Sequence, residues 1–88
     1  MAVHASYDPE ADALYLRISR HSVGAAMQFD DGTFADLDVA GHLAGIEVVS
    51  PRRDWPLEAI LDRCGCDPQD AEWLRRRWPD KYRPATIT

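Results

Sequence analysis

The side chains able to do chemistry in this chain are its acids, three dispersed imidazoles, two thiols and one arginine run. Asp36 and Glu47 stand in segments of alternating polarity, and two carboxylates held close together would form a general acid/base pair or a site for a hard cation. That chemistry would be hydrolytic. Solvation at the surface is the ordinary fate of such acids. Cys64 and Cys66, separated by Gly65 alone, have the look of half a zinc site or a redox pair. Tetrahedral zinc needs about four ligands, and His4, His21 and His42 lie far off in sequence. A bridge between the two thiols would close a small, strained ring. Free thiols are expected, with Cys64 closing a helix face and Cys66 in a turn. Arg75, Arg76 and Arg77, between Trp73 and Trp78, form the one basic run. From the second helix of a helix-turn-helix they would meet a phosphate backbone.

Known catalytic patterns are missing from the sequence. It has no glycine-rich phosphate loop after a strand, no paired-histidine metal helix and no serine elbow. Ser6, Ser19, Ser22 and Ser50 sit beside ordinary strand or turn residues, and the three histidines do not assemble into a set in sequence. Asp8 and Asp12 read as turn formers whose short side chains bond nearby backbone N–H groups. No catalytic residue, cofactor or metal ligand is assigned.

What must position any such group is one small domain, because 88 residues leave no room for two independent cores. Hydrophobic residues at 45% and charged residues at 28% describe a globular chain that folds. No apolar stretch approaches the ~20 residues that span a bilayer, and no basic segment leads into an apolar one at the N-terminus, so a cytoplasmic protein without membrane contact is expected.

Residues 1–50 read as strands. Val3, Ala5 and Tyr7 alternate with polar neighbours, Pro9 sets a turn, and Leu14, Leu16 and Ile18 alternate with Tyr15, Arg17 and Ser19. That is the period of a sheet with one buried face. Ala25, Met27 and Phe29 continue the pattern up to Asp31-Gly32, a strong hairpin signal. Thr33 to Asp38 returns, Gly41 closes a turn in the left-handed conformation, and Leu43 to Ser50 forms the last strand. The parity of this final hairpin is ambiguous: a three-residue turn opposes the apolar alternation unless the turn is longer or a bulge intervenes. Asp36 and Glu47 are therefore not placed side by side.

Residues 51–88 read as helices and a tail. Asp54 or Trp55 is expected to cap a helix with Pro56 in its first turn, and Leu57, Ile60, Leu61 and Cys64 make one apolar stripe that ends at Gly65. Asp67 caps a second helix with Pro68 at its first position; Ala71, Leu74 and Trp78 line one face before Pro79 stops it. From Asp80 onward the chain has no period. The expected fold is α+β: a four- or five-stranded antiparallel meander followed by two short helices packed on or beside the sheet as one structural domain.

Charge divides unevenly between these halves. Residues 1–50 carry two arginines against eight carboxylates, −6, whereas residues 51–88 carry eight cations against seven anions, +1. An acidic surface repels nucleic acid, and the N-terminal residues of the second helix, Asp67, Gln69, Asp70 and Glu72, stand where a DNA groove would have to approach. At the other end of that helix, the arginines complement the dipole. The sheet also holds more apolar residues than one face needs. Tyr15, Phe34, Leu43 and Val49 oppose the main set and are the candidate partner-binding residues, with a homodimer the favoured assembly.

Tyr7-Asp8-Pro9-Glu10-Ala11-Asp12-Ala13-Leu14-Tyr15-Leu16-Arg17, Asp36-Leu37-Asp38, Gly41 and Gly45-Ile46-Glu47-Val48 resemble the small bacterial domain-of-unknown-function family numbered 2283. The resemblance covers about residues 3–50. It implies a short antiparallel sheet and no catalytic residues. Phe34 stands where such proteins more often have a small β-branched residue. Pro56 to Leu61 and Asp67 to Ala71 are weakly similar to the helix pair of certain antitoxins. Three functions are thus weighed. The first is a non-enzymatic protein-binding module, antitoxin-like, whose acidic half meets a small basic protein. The others are a DNA-binding regulator using Arg75, Arg76 and Arg77, and a small hydrolase built on Asp36 and Glu47.

Overall fold

The computed structural model describes residues 3–79, so the tail expected from Asp80 onward lies outside the described residues. Period-two alternation resolves into β1 (His4–Asp8), β2 (Ala13–Arg17), β3 (Val23–Asp30), β4 (Thr33–Asp38) and β5 (Leu43–Val49). The period then changes to that of helices, giving α1 (Leu57–Arg63) and α2 (Pro68–Arg77). All strands are antiparallel to their neighbours.

The strand order is β1-β2-β5-β4-β3, so β5 enters between β2 and β4 and the sheet is a Greek key rather than a strict meander. Leu43, Ala44, Ile46 and Val48 are all nearly or wholly buried, and the centre of the sheet is where so apolar a strand is best covered. The link from β2 to β3, residues 18–22, must then pass the ends of β5 and β4. Three strand spacings are about 14 Å, within the roughly 20 Å reach of six extended steps. Ile18 and Ser19 both donate their N–H to the Ala44 carbonyl, at 2.9 and 3.1 Å, which pins the link as it crosses.

The parity of the last hairpin is settled by a bulge. Leu37 pairs with Leu43 but Asp36 pairs with Gly45, leaving Ala44 as an extra residue in β5. Gly41 has φ 85°, as its place in the turn predicted, and the apolar residues on both sides of the bulge face inward. Leu43 is corrected accordingly. It is 2% exposed and belongs to the core, because the extra residue reverses the side it would otherwise occupy.

The other turns are held by aspartates that accept hydrogen bonds from nearby donors. Asp8 Oδ1 accepts from Glu10 N at 3.0 Å, and Asp12, in the left-handed region at φ 50°, accepts from the Tyr7 hydroxyl at 2.6 Å. At the tip of β3 and β4, Asp30 Oδ1 accepts from Gly32 N at 3.0 Å. Gly32 is needed for close approach: a Cβ there would stand 2.6 Å from Arg53 Nη2 and 3.2 Å from the Val49 carbonyl.

Both helices cover one face of the sheet. Leu14, Leu16, Ala35, Ile46 and Val48 form a single cluster with Trp55, Leu57, Ile60, Cys64 and Leu74. Trp55, at 2% exposure, meets Trp78 edge-on at 5.6 Å, and Trp73 meets Trp78 likewise at 6.0 Å. α2 is capped as expected, with Asp67 accepting from Gln69 N at 2.8 Å and Pro68 as the first helical residue. α1 differs from the expectation. Its N-cap is Pro56, not Asp54 or Trp55, and the cap makes no side-chain hydrogen bond. The reason is Trp55: its ring is committed to the core and its carbonyl accepts from Leu57 N at 2.9 Å, so helical geometry begins only after it. No helix among the described residues is long and apolar enough to cross a membrane.

Candidate functional site

Two surfaces hold the groups of interest. The first is the sheet face opposite the helices. Cross-strand register puts Tyr15, Arg17, Glu47, Val49, Phe34 and Asp36 on this side, because Tyr15 lies opposite Glu47, Glu47 opposite Phe34, and Asp36 opposite Gly45. Asp36 and Glu47 thus share a face without being cross-strand partners. The Tyr15 hydroxyl donates to Asp36 Oδ2 at 3.1 Å, although β5 lies between their strands. It does so by crossing over Gly45. A Cβ on Gly45 would overlap the Tyr15 hydroxyl and lie 2.9 Å from Cζ. Burial, the Asp36 charge and this hydrogen bond together push the Tyr15 phenol above its usual pKa. Tyr15, Phe34 and Val49 are each half-buried there, and Glu47 is exposed.

The second surface is a cleft of about 390 Å3 at the end of the sheet, lined by His21, Asp38, His42, Cys66, Asp67 and Asp70 among others. It was not foreseen, since these residues are dispersed in sequence. The crossing link brings His21 to the β4–β5 turn, where its Nδ1 lies 3.3 Å from Asp38 Oδ2. The α1–α2 turn arrives from the other side: Leu43 N donates to the Gly65 carbonyl at 2.7 Å, and His42 and Gly65 form a parallel bridge. A Cβ on Gly65 would strike the His42 ring, so glycine is what lets helix and sheet meet here.

The polar groups of the cleft are largely occupied by the fold. Asp38 Oδ1 accepts from His42 N and Ala40 N, each at 2.9 Å. Those two backbone donors, with His21, outweigh burial and hold the Asp38 carboxyl below the usual carboxylate range. The Cys66 thiol is pushed up to about 11, first by burial and then by the Asp70 and Asp67 charges, which leaves almost no thiolate at neutral pH. Burial and Asp67 raise Asp70 as well. Its Oδ1 is buried without a hydrogen-bond partner among the described residues. Among the described residues no three His, Cys, Asp or Glu side chains converge to hold a metal ion. Cys64 is a free, buried thiol at the end of α1, as its place in the apolar stripe predicted.

The arginine run is dispersed by its own helix. Arg75 forks onto Glu58 of α1, with Nη2 at 3.0 Å from Oε2 and Nε at 3.3 Å from Oε1. Arg76 reaches Glu72 one turn back at 3.2 Å, and the Arg77 guanidinium lies 4.6 Å from the Trp78 ring centroid. The three do not present one shared basic face.

Sheet, turns and helical cover define a small α+β domain with an open acidic and aromatic face. The chain belongs to the family described as Protein of unknown function (DUF2283), whose model matches residues 4–50. No curated protein and no solved structure matches the chain. The motifs that carry the family likeness have structural roles here: Asp8 and Asp12 shape the first turn, Asp38 and Gly41 the last, and Gly45 makes room for the Tyr15–Asp36 bridge.

Proposed function

We propose that this protein acts through protein contacts rather than catalysis, and that the open sheet face receives a basic partner segment. The observation that carries this reading is the arrangement of Tyr15, Phe34 and Val49 beside Asp36 and Glu47 on a face that neither described helix covers. Aromatic rings flanked by carboxylates suit arginine and lysine side chains, which combine a charge with an apolar stem. The surrounding half of the chain is at −6, two arginines against eight carboxylates, and would steer a cationic protein toward this face. An antitoxin-like subunit that neutralises a small basic protein fits these features.

The cleft supports chemistry less well, because Asp38 serves the turn and the Cys66 thiol stays protonated. Affinity purification from the native host should recover one basic protein in equal amount, and Glu47→Lys, a change at an exposed position, should release it. A monodisperse sample that recovers no partner, or a partner indifferent to Glu47→Lys, would overturn the proposal.

A further inference from the structure

The strand order leaves β1 and β3 as the two edges of the sheet, and an edge strand offers unpaired N–H and C=O groups to another chain. Edges are ordinarily guarded by charge, proline or bulges. β1 carries Asp8 and runs into Pro9. β3 likewise ends on an acid, Asp30, but its run without Asp, Glu, Lys, Arg or proline is seven residues, Val23 through Phe29, against four in β1, His4 through Tyr7. Its bulges, at Gly24 and near Phe29, bound a regular stretch from Ala25 to Gln28.

Exposed apolar side chains extend this edge. Val23 is 54% exposed and Val39, on the β4–β5 turn, is 91% exposed; together with Tyr7 they are the large hydrophobic residues left open to solvent among the described residues. Gly24 joins the two, since a Cβ there would lie 3.1 Å from Val39 Cγ1 and 3.2 Å from its Cα. The uncharged edge and the exposed valines form one continuous strip.

We infer that this strip is where a second copy of the chain docks, β3 pairing with the partner's β3 in antiparallel fashion about a two-fold axis. Charge selects the occupant. The chain carries −5, so two copies repel over most of their surfaces. A two-fold contact brings the same patch of each copy together, and the strip from Val23 to Phe29 is uncharged. With the axis at Ala26, that alanine faces its own copy and Ala25 faces Met27 across the new ladder, so small side chains meet at the centre. The result is a continuous ten-stranded sheet. This inference is independent of the open-face proposal, for Glu47→Lys leaves the β3 edge untouched.

Light scattering during gel filtration tests it. Wild-type protein should elute at twice the 9.9 kDa chain mass, with β3 amides protected from hydrogen exchange. Val23→Lys/Ala25→Lys should halve the mass while keeping the far-ultraviolet circular dichroism, and Ser6→Lys on the β1 edge should leave the dimer intact. Should the double variant fail to fold, Val39→Lys, on an exposed turn, should still raise the dimer dissociation constant by about a hundredfold, the effect of losing two buried valines, one from each copy. A wild-type monomer at the concentrations used for magnetic resonance would overturn the inference. So would a dimer that Val39→Lys does not weaken.

Discussion

Tyr15 and Asp36 are hydrogen bonded at 3.1 Å across a strand that belongs to neither of them. Gly45, in the strand between, lets the ring pass. Gly45→Ala should therefore lower stability by about 1–3 kcal/mol, the usual cost of forcing an extra carbon into filled space. In a Tyr15→Ala background the same change should cost less, because the ring is gone and only the Leu16 carbonyl, 3.2 Å from the new Cβ, remains close. Tyr15→Phe should cost only about 0.5–1.5 kcal/mol, the loss of one hydrogen bond. Urea unfolding of the four proteins gives the coupling directly.

Arg53 ties the β3–β4 hairpin to the segment leading into α1. Its guanidinium bonds Asp30 Oδ2 and the Thr33 hydroxyl, each at 3.0 Å, and its Nε bonds the Val49 carbonyl at 3.0 Å. Arg53→Ala should destabilise the fold by about 1–3 kcal/mol, since partners in a largely covered site lose their donor. Arg53→Lys should recover little, because one ammonium cannot reach all three acceptors. Thermal unfolding of both variants checks the order.

Acid should weaken the fold through Asp30 and Asp38. At Asp30 burial favours the neutral acid, but Thr33, Gly32 N–H and Arg53 outweigh it, so the carboxyl titrates below the usual range; Asp38 is lowered too, by His42 N–H and its other donors. The unfolded chain therefore binds these protons more readily than the folded one. Their stabilisation is complete above the ordinary carboxylate value of about 3.9 and disappears as pH falls through the lower folded values. Urea midpoints should drop across that acidic range, and an Asp30→Asn/Asp38→Asn double variant should show a shallower drop.

Thiol chemistry should be slow. Cys64 is buried, and Cys66, although it lines the cleft, is pushed up to about 11. Reaction with a disulfide reagent at neutral pH should lag far behind a free cysteine, then accelerate as the pH approaches that value. Asp70→Asn removes a charge that opposes thiolate formation and should quicken the reaction. A fast thiol at neutral pH would contradict the burial described here.

Much of this fold is legible in the sequence because its signals are local. Leu14, Leu16 and Ile18 announce a half-buried strand, Asp67-Pro68 announces a helix start, and Gly41 announces a turn; each depends on a few adjacent residues. Side-chain crossings and chain crossings are different. Nothing near Ala44 marks it as the extra residue of a bulge, and that one residue decides that Leu43 faces the core. Three of the four expected contact residues, Tyr15, Phe34 and Val49, lie on the open face, yet the reason Tyr15 is held there is Gly45, thirty positions later. The cleft was hidden because His21, Asp38 and Cys66 meet only after β5 has inserted and the β2–β3 link has crossed the sheet end.

The family match stops at residue 50, where β5 has just ended, whereas Trp55, Leu57, Ile60 and Leu74, which shield Leu16, Ile46 and Val48 from water, all come later. The matched segment by itself is thus a roofless ribbon with one greasy side, and in this chain the roof is the pair of helices that follows it. Severed at that seam, the ribbon would have to borrow shelter from another molecule or clump with its own kind.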